Sequence, residues 1–450
     1  MAARVEWFPR HEIDRRILRA ALAASFAGAV VKIAATFKEI TVAGVFGRTD
    51  AMEAFLAAAL IPGLLINLIA ESMNQALIPT LVRVRETEGH ERSQELLSNA
   101  MLWSCLLLTG ASSLMALGAP LYFPLIASHF GPEKLHLAEK LFYALLPVIL
   151  LTGIASNCTA VLNTLDRFAL PALAPVLTPL AIMVSAPLLS ARFGVWAMVY
   201  ATLAGALLQA VWVVWMMQTR GYKLQLAWHG MNSATREVAQ QYGPVLLSSV
   251  VASGGLLVDQ SMAAALPAGS VSALAYANRF VSVAVTLMAG AVASAVTPSF
   301  SSMVARADWE GCRRTLRTWV ATMAVATIPI TVGLMLGSRF LITVAFQHGV
   351  FGARDTAAVA PVLTMYALQI PFFVCSRVYY RFLLAMRRTN LVFYCGIVNL
   401  VLDIVLNILF MRAFGVAGIA LATSVWTVST LIFLRYWARK VLSAKAGATK

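Results

Sequence analysis

Charge is what this 450-residue sequence lacks: Asp, Glu, Lys and Arg make up 12% of it, about half of the ~25% of an ordinary globular domain. The chain is instead 60% hydrophobic. At ~20 residues per membrane-spanning helix, it has room for a dozen spans joined by short connections. A cytosolic enzyme, a secreted disulfide scaffold and a disordered tail are excluded. Acidic residues are scarcest, 20 against 35 Lys and Arg, for a net charge of +15. The basic residues lie in short clusters between apolar runs, so they read as orientation signals and contacts to anionic lipid headgroups, not as a nucleic-acid surface. Cysteine has no pairing pattern. Cys105, Cys158, Cys375 and Cys395 sit in apolar stretches and Cys312 in a basic loop, so free, buried thiols are expected. The six histidines, His11, His90, His129, His136, His229 and His348, lie in or near loops without ligand spacing. HExxH, GxSxG and Walker A motifs are missing, so no enzyme and no bound cofactor is expected, and transport would run on a gradient.

Apolar runs bounded by charges or Gly/Pro turns predict an all-α polytopic membrane protein of twelve spans. They fall near 17–46, 51–82, 96–118, 137–163, 169–190, 194–218, 241–265, 270–303, 316–336, 357–385, 391–411 and 415–437. The pieces 121–126 and 340–346 are too short to span and read as interfacial turns. The N-terminus lacks a cleavable signal peptide; Arg10, Arg15, Arg16 and Arg19 suggest a short amphipathic helix on the inner surface. An even number of spans puts both ends on one side. About 24 Lys and Arg fall on that side and about seven on the other, which places both termini in the cytoplasm.

The chain repeats itself. Phe193-Gly194-Val195 and Ala201-Thr202 recur as Phe414-Gly415-Val416 and Ala422-Thr423; Ile78-Pro79-Thr80 recurs in kind as Thr297-Pro298-Ser299. Leu162 through Leu170 faces Leu383 through Leu391 at the 221-residue offset of the Phe-Gly-Val pair, and the proline pair is offset by 219. Each match joins one span to the span six later. Two six-helix lobes follow, residues 1–220 with the basic N-terminal segment and 221–450 with a short basic tail. Because six is even, the lobes share one topology, are related by an axis along the membrane normal and enclose a cavity that can open to either side.

An ionisable residue inside a bilayer costs about 2.5–3.5 kcal/mol, so each needs a reason. Lys32, Lys38 and Glu39 lie in span 1, Glu53 and Glu71 in span 2, Asp259 in span 7, Arg279 in span 8, Arg377 in span 10 and Asp403 in span 11. Lys32, Thr36 and Glu39 share a helix face, and Lys38 falls off it by about a third of a turn. Lys32, Lys38 and Arg279, with Glu39 and Glu53 nearby, form a cationic set drawn from both lobes and suited to an anionic headgroup. Alternatively, Lys38 pairs with Glu39 or Glu53, and Arg279 with Asp259, as structural locks. Asn399 and Asp403 stack at i and i+4 and, with Asp259 and Thr423, offer oxygens from three helices. These suit Na⁺ or a proton, or serve as interhelical hydrogen-bond glue.

Several strings resemble the MviN/MurJ family of lipid II flippases, within the MATE-like (MOP) superfamily. They are Leu162-Asn163 with Arg167-Phe168, Pro171-Ala172 and Ala174-Pro175; Glu71 with Gln75-Ala76 and Pro79; Gly269-Ser270-Val271 with Tyr276-Ala277 and Arg279; and Gly349, Phe351 and Asp355-Thr356. The resemblance runs from about residue 25 to 437. It implies V-shaped lobes around a cationic cavity and a flippase that moves a polyprenyl-pyrophosphate-linked saccharide to the outer leaflet of a bacterial inner membrane. By position, Lys32, Lys38 and Arg279 stand where the family has cavity arginines, and Glu39 and Glu53 match acidic positions. Asp259, Asn399, Asp403 and Thr423 stand where some members bind Na⁺. Two features depart from the family. Ile66-Asn67 replaces a basic pair of span 2, and twelve spans stand where the family usually has fourteen. The saccharide therefore stays open between a lipid II-like precursor and an exopolysaccharide or O-antigen unit. Glycosyltransferases or a polymerase of envelope synthesis are the protein partners such a role implies. A MATE-type multidrug/cation antiporter would want acidic residues and aromatics in its cavity, where Lys32, Lys38 and Arg279 dominate. A non-transporting scaffold would not need charges buried at mid-membrane.

Overall fold

The computed structural model describes residues 12–127, 130–165, 169–386 and 388–448, and among them every regular element is helical. The first half holds α1 (Glu12–Phe46), α2 (Asp50–Leu65), α3 (Ser72–Thr87), α4 (His90–Ile126), α5 (Pro132–Thr164), α6 (Ala169–Leu173), α7 (Leu177–Phe193) and α8 (Trp196–Gln218). The second holds α9 (Ser233–Ala264), α10 (Ser270–Ala305), α11 (Trp309–Leu336), the short α12 (Ser338–Phe346), α13 (Ala353–Ala367), α14 (Gln369–Ala385), α15 (Thr389–Phe414) and α16 (Val416–Ala448). Eleven stretches among the described residues are long and apolar enough to cross a membrane. The 35-residue α1, packed against α7 and α10, makes the twelfth expected from the sequence.

Three spans are interrupted, two of them at proline. α2 and α3 form one span through a π turn at Ile66–Glu71. Pro62 lies one turn before it and, lacking an N–H, leaves the carbonyl of Ala58 without its helical donor, but α2 continues past it to Leu65. α6 and α7 are joined by a 3₁₀ turn at Ala174–Val176, whose middle residue is Pro175. α13 and α14 join at Leu368, with Pro371 in the first turn of α14.

Two expectations about helix ends are corrected. Residues 121–126 are not a separate turn but the last part of α4, which runs on through Pro120 and Pro124. The hydropathy breaks there while the backbone does not. Arg15, Arg16 and Arg19 lie on a helix already continuous with α1, because nothing between Glu12 and Phe46 stops one. Residues 1–11 with Arg10, Arg167-Phe168 of the family string, and Arg387 lie outside the described residues. The piece 340–346 is the separate short helix α12.

The buried side chains fall into clusters that follow the repeat. Phe55, Leu108, Phe142 and Met198 belong to one first-half cluster and Leu77, Leu97, Val161 and Met217 to another. Phe300, Phe346, Phe382 and Ile419 belong to the second half. The exceptions mark the seam: Ala43 of α1 joins the second-half cluster, and Ala234 and Val238 of α9 join a first-half one.

Backbone geometry carries the repeat further than composition could. Gly194 ends α7 at φ 55, ψ −136, and Gly415 ends α15 at φ 57, ψ −135. The positive φ suits glycine, and each N–H closes its helix on the fourth residue back, Ser190 and Met411. The α1–α2 and α9–α10 loops, each joining the first two spans of its half, meet. Arg48 Nε donates to the carbonyl of Gly269, a residue 221 positions later, at 2.9 Å. That separation equals the offset of the repeated Phe-Gly-Val strings, so two loops at matching places in the repeat pack against each other.

Candidate functional site

Glu39 of α1 is buried, and its Oε1 accepts from Lys38 Nζ at 2.7 Å and from Arg279 Nη2 of α10 at 2.6 Å. The three side chains form a charged bridge between α1 and α10, and so between the two halves. The backbone carbonyl of Lys32 accepts from the Thr36 hydroxyl at 2.9 Å. Thus Lys38, Glu39 and Arg279 converge, and Lys32 lies about two turns back along α1 from Glu39. Lys38 does so despite its phase on the helix, because a long flexible stem lets an adjacent residue reach round to its neighbour's carboxylate. Of the two pairings considered for Lys38, the structure has the one with Glu39. The pairing considered for Arg279 is corrected: its partner is Glu39, not Asp259. Two cations share one carboxylate, so the cluster keeps a net positive charge. Glu39 Oε2 has no hydrogen-bond partner.

Glu53 stands apart from this cluster. It is buried at the start of α2, where Oε2 accepts from Lys134 Nζ at 2.5 Å and Oε1 from the backbone N–H of Val271 at 3.0 Å. Val271 opens α10, so Glu53 caps a helix of the other half, where the exposed N–H groups and the dipole favour an anion. Lys134 also reaches Asp50 at 2.8 Å and lies over the Phe130 ring. Nothing in the spacing around Lys134 marks it for this contact. Its role depends on α5 starting beside α2, which spacing does not reveal.

The same rim is held by three further contacts between halves. Tyr276 donates its hydroxyl to Gly47 O at 2.8 Å, and Val350 N–H donates to Gly44 O at 2.9 Å. Arg48 reaches Asp355 Oδ1 at 3.4 Å. At the opposite rim, on the side of the chain's described ends, Arg83 of α3 pairs with Glu237 of α9 at 2.7 Å. Ser72 and Ser249 hydrogen-bond at 2.8 Å between the same two helices. The halves therefore touch on both sides of the charged bridge.

A second polar cluster is buried wholly within the second half. Asp259 of α9 accepts from Asn407 Nδ2 at 2.8 Å and from the Thr423 hydroxyl at 3.4 Å. Asp403 accepts from the same amide at 3.3 Å, and its Oδ2 has no hydrogen-bond partner. Gly255 of α9 faces that oxygen; a Cβ there would stand 3.3 Å from it. Asn399 does not join them. Its Oδ1 accepts from Thr430 at 3.0 Å and its amide points to Cys395, one turn away along α15. Asn407 takes the place expected of Asn399. The signal was present, since Asn399, Asp403 and Asn407 continue one i, i+4, i+8 stripe, but only the direction in which α9 crosses α15 decides which asparagine meets Asp259. Asp259, Asp403, Asn407 and Thr423 bring six side-chain oxygens together, a donor set that fits a hard monovalent cation. No group of three or more His, Cys, Asp and Glu among the described residues fits a metal ion.

The chain matches the family model "Lipid II flippase MurJ" over residues 42–449. It is 24% identical to the probable lipid II flippase MurJ of Synechocystis sp., over 98% of this chain and 85% of the relative. It is 25% identical to the lipid II flippase MurJ of Burkholderia cenocepacia, over 96% and 86%. Among solved structures it resembles a lipid II flippase MurJ in an inward closed conformation, with TM-score 0.79 and 24% identity over 93% of this chain and 87% of that one. An inward-facing MATE-family multidrug resistance transporter of the MOP superfamily superposes with TM-score 0.78 at 14% identity, over 96% of this chain and 100% of that one.

Proposed function

The chain belongs to the lipid II flippase MurJ family, and we propose that Lys32, Lys38 and Arg279 are where it takes the pyrophosphate of its lipid-linked substrate. It is a multi-pass membrane protein that moves a lipid-linked precursor between leaflets. The observation that carries the site reading is the Lys38–Glu39–Arg279 bridge, in which two cations from different halves share one internal carboxylate. A pyrophosphate offers more acceptors and more charge than Glu39 does, and Arg matches its oxygens in bidentate fashion. Displacing Glu39 loosens the bridge between halves, which couples binding to the rocking motion. Glu53 serves this movement from the rim, by holding the start of α10, rather than by touching the headgroup.

The rest of the reading concerns placement. Both termini face the cytoplasm of a bacterial inner membrane, by the excess of Lys and Arg on that side. The halves divide at 220/221, within the irregular connection between α8 and α9. A coupling ion, Na⁺ or a proton, sits among Asp259, Asp403, Asn407 and Thr423, with Asn399 outside its reach. The saccharide stays between a lipid II-like unit and an exopolysaccharide or O-antigen unit, since Ile66-Asn67 brings no positive charge to the π turn of the second span. Envelope-synthesis glycosyltransferases or a polymerase would act on either side of this step.

The test is mass spectrometry of lipids that co-purify with the protein. The wild type should retain a polyprenyl-pyrophosphate-linked saccharide, and the mass identifies the sugar. A variant with Lys32→Gln, Lys38→Gln and Arg279→Gln should lose it. Equal retention by a well-folded variant would sink the headgroup assignment.

A further inference from the structure

We propose that the connection between the halves, residues 219–232, is an in-plane lipid anchor: a strap clamped to α4 that lays its apolar face into the bilayer interface and its basic residues on anionic headgroups. The segment has no regular hydrogen bonding of its own from Tyr222 to the cap of α9, yet it is held closely. Gln94 of α4 acts as a stand-in for a neighbouring strand, donating its amide to Lys223 O at 2.9 Å and accepting from Lys223 N at 2.9 Å. Asn99 repeats the device further on, donating to Gly230 O at 3.0 Å and accepting from His229 N at 2.8 Å. Tyr222 is buried and hydrogen-bonds Ser93, and the Trp228 ring meets Trp103 of α4 edge-on. The strap therefore rides with the first half.

Pinned this way, the segment turns its apolar side chains outward. Leu224, Leu226, Trp228 and Met231 are 38%, 58%, 46% and 53% exposed. In water this would be a costly apolar patch. The flanking helices say what covers it. α8 ends at Gln218 and α9 begins at Ser233, so the strap lies at the level where two spans leave the membrane. Trp212 and Trp215, exposed on the last turns of α8, mark the same level, as aromatic belts do. The charges agree. Residues 219–236 carry Arg220, Lys223 and Arg236, all exposed, and no acidic residue. An apolar stripe with basic neighbours at an interface fits anionic phospholipid and no acidic-to-basic protein contact.

The consequence reaches transport. The strap ends at α9, whose contacts with α3 close this rim through Arg83–Glu237. Anionic lipid under the strap fixes one end of the moving helix relative to the first half.

The experiment compares wild type with Trp228→Phe in vesicles of phosphatidylcholine, alone or mixed with phosphatidylglycerol. The Trp228 signal is the fluorescence difference between the two proteins. It should be quenched by phospholipids brominated near the headgroup end of the acyl chain and shielded from aqueous iodide, more so with phosphatidylglycerol present. Arg220→Gln, Lys223→Gln and Arg236→Gln together should abolish that lipid-charge dependence while leaving quenching in neutral vesicles. If iodide quenches Trp228 and brominated lipid does not, the face is aqueous, free for a protein partner, and the anchor is refuted. If the triple variant keeps the full response to phosphatidylglycerol, the basic residues are not its headgroup contacts and the proposal fails in that part.

Discussion

Glu39→Gln keeps the shape of the bridging side chain and removes its charge, which leaves Lys38 and Arg279 facing one neutral oxygen. Both donors lie within 2.7 Å of Oε1, so the two cations stand roughly 4 Å apart. Their repulsion amounts to about 4 kcal/mol at an effective dielectric of 20. Arg279 is a third exposed, and water reaching it screens this to about 2 kcal/mol. Arg279→Gln is milder, about 1 kcal/mol, because Glu39 keeps Lys38. The double variant Glu39→Gln/Arg279→Gln leaves only Lys38 unpaired and should recover more than half of the loss of Glu39→Gln. Denaturant unfolding in detergent, followed by tryptophan fluorescence, gives the four corners of this cycle. Flipping in vesicles should fail in Arg279→Gln even though its stability is nearly intact. A double variant no more stable than Glu39→Gln alone would show that charge does not organise the bridge. An Arg279→Gln protein that fails to accumulate would mark Arg279 as a structural lock.

Asp403→Asn should remove the ion dependence of transport in vesicles while leaving lipid headgroup binding unchanged, because the two clusters sit in different places; a Na⁺ or proton response equal to wild type's would exclude this carboxylate from coupling. Asn407→Ala should cost about 1–3 kcal/mol in the same unfolding assay, since it strips a shared donor from two buried carboxylates, whereas Asn399→Ala should cost less. Gly194→Ala and Gly415→Ala should each cost about 1–2 kcal/mol, since both positions need the left-handed region; equal losses at the two sites would mirror the repeat, and no loss would mean the helix ends relax.

Much of this molecule follows from composition and offset alone. The scarcity of charge and the lengths of the apolar runs determine a twelve-helix membrane protein, because a bilayer penalises each polar group on its own account. The recurrence of Phe-Gly-Val determines that the halves share a topology, because a helix end with positive φ needs glycine at that place in each copy. The ionisable residues were visible for the same reason, as exceptions to an apolar rule. Which of them meet was not. Glu39 joins Lys38 to Arg279, and Glu53 caps α10, because of how α1 and α2 lie against a helix more than two hundred residues away. Asn407 displaces Asn399 because α9 crosses α15 nearer that turn. Periodicity sets the face on which a side chain stands; only the packing of one helix on another decides at which height a partner arrives.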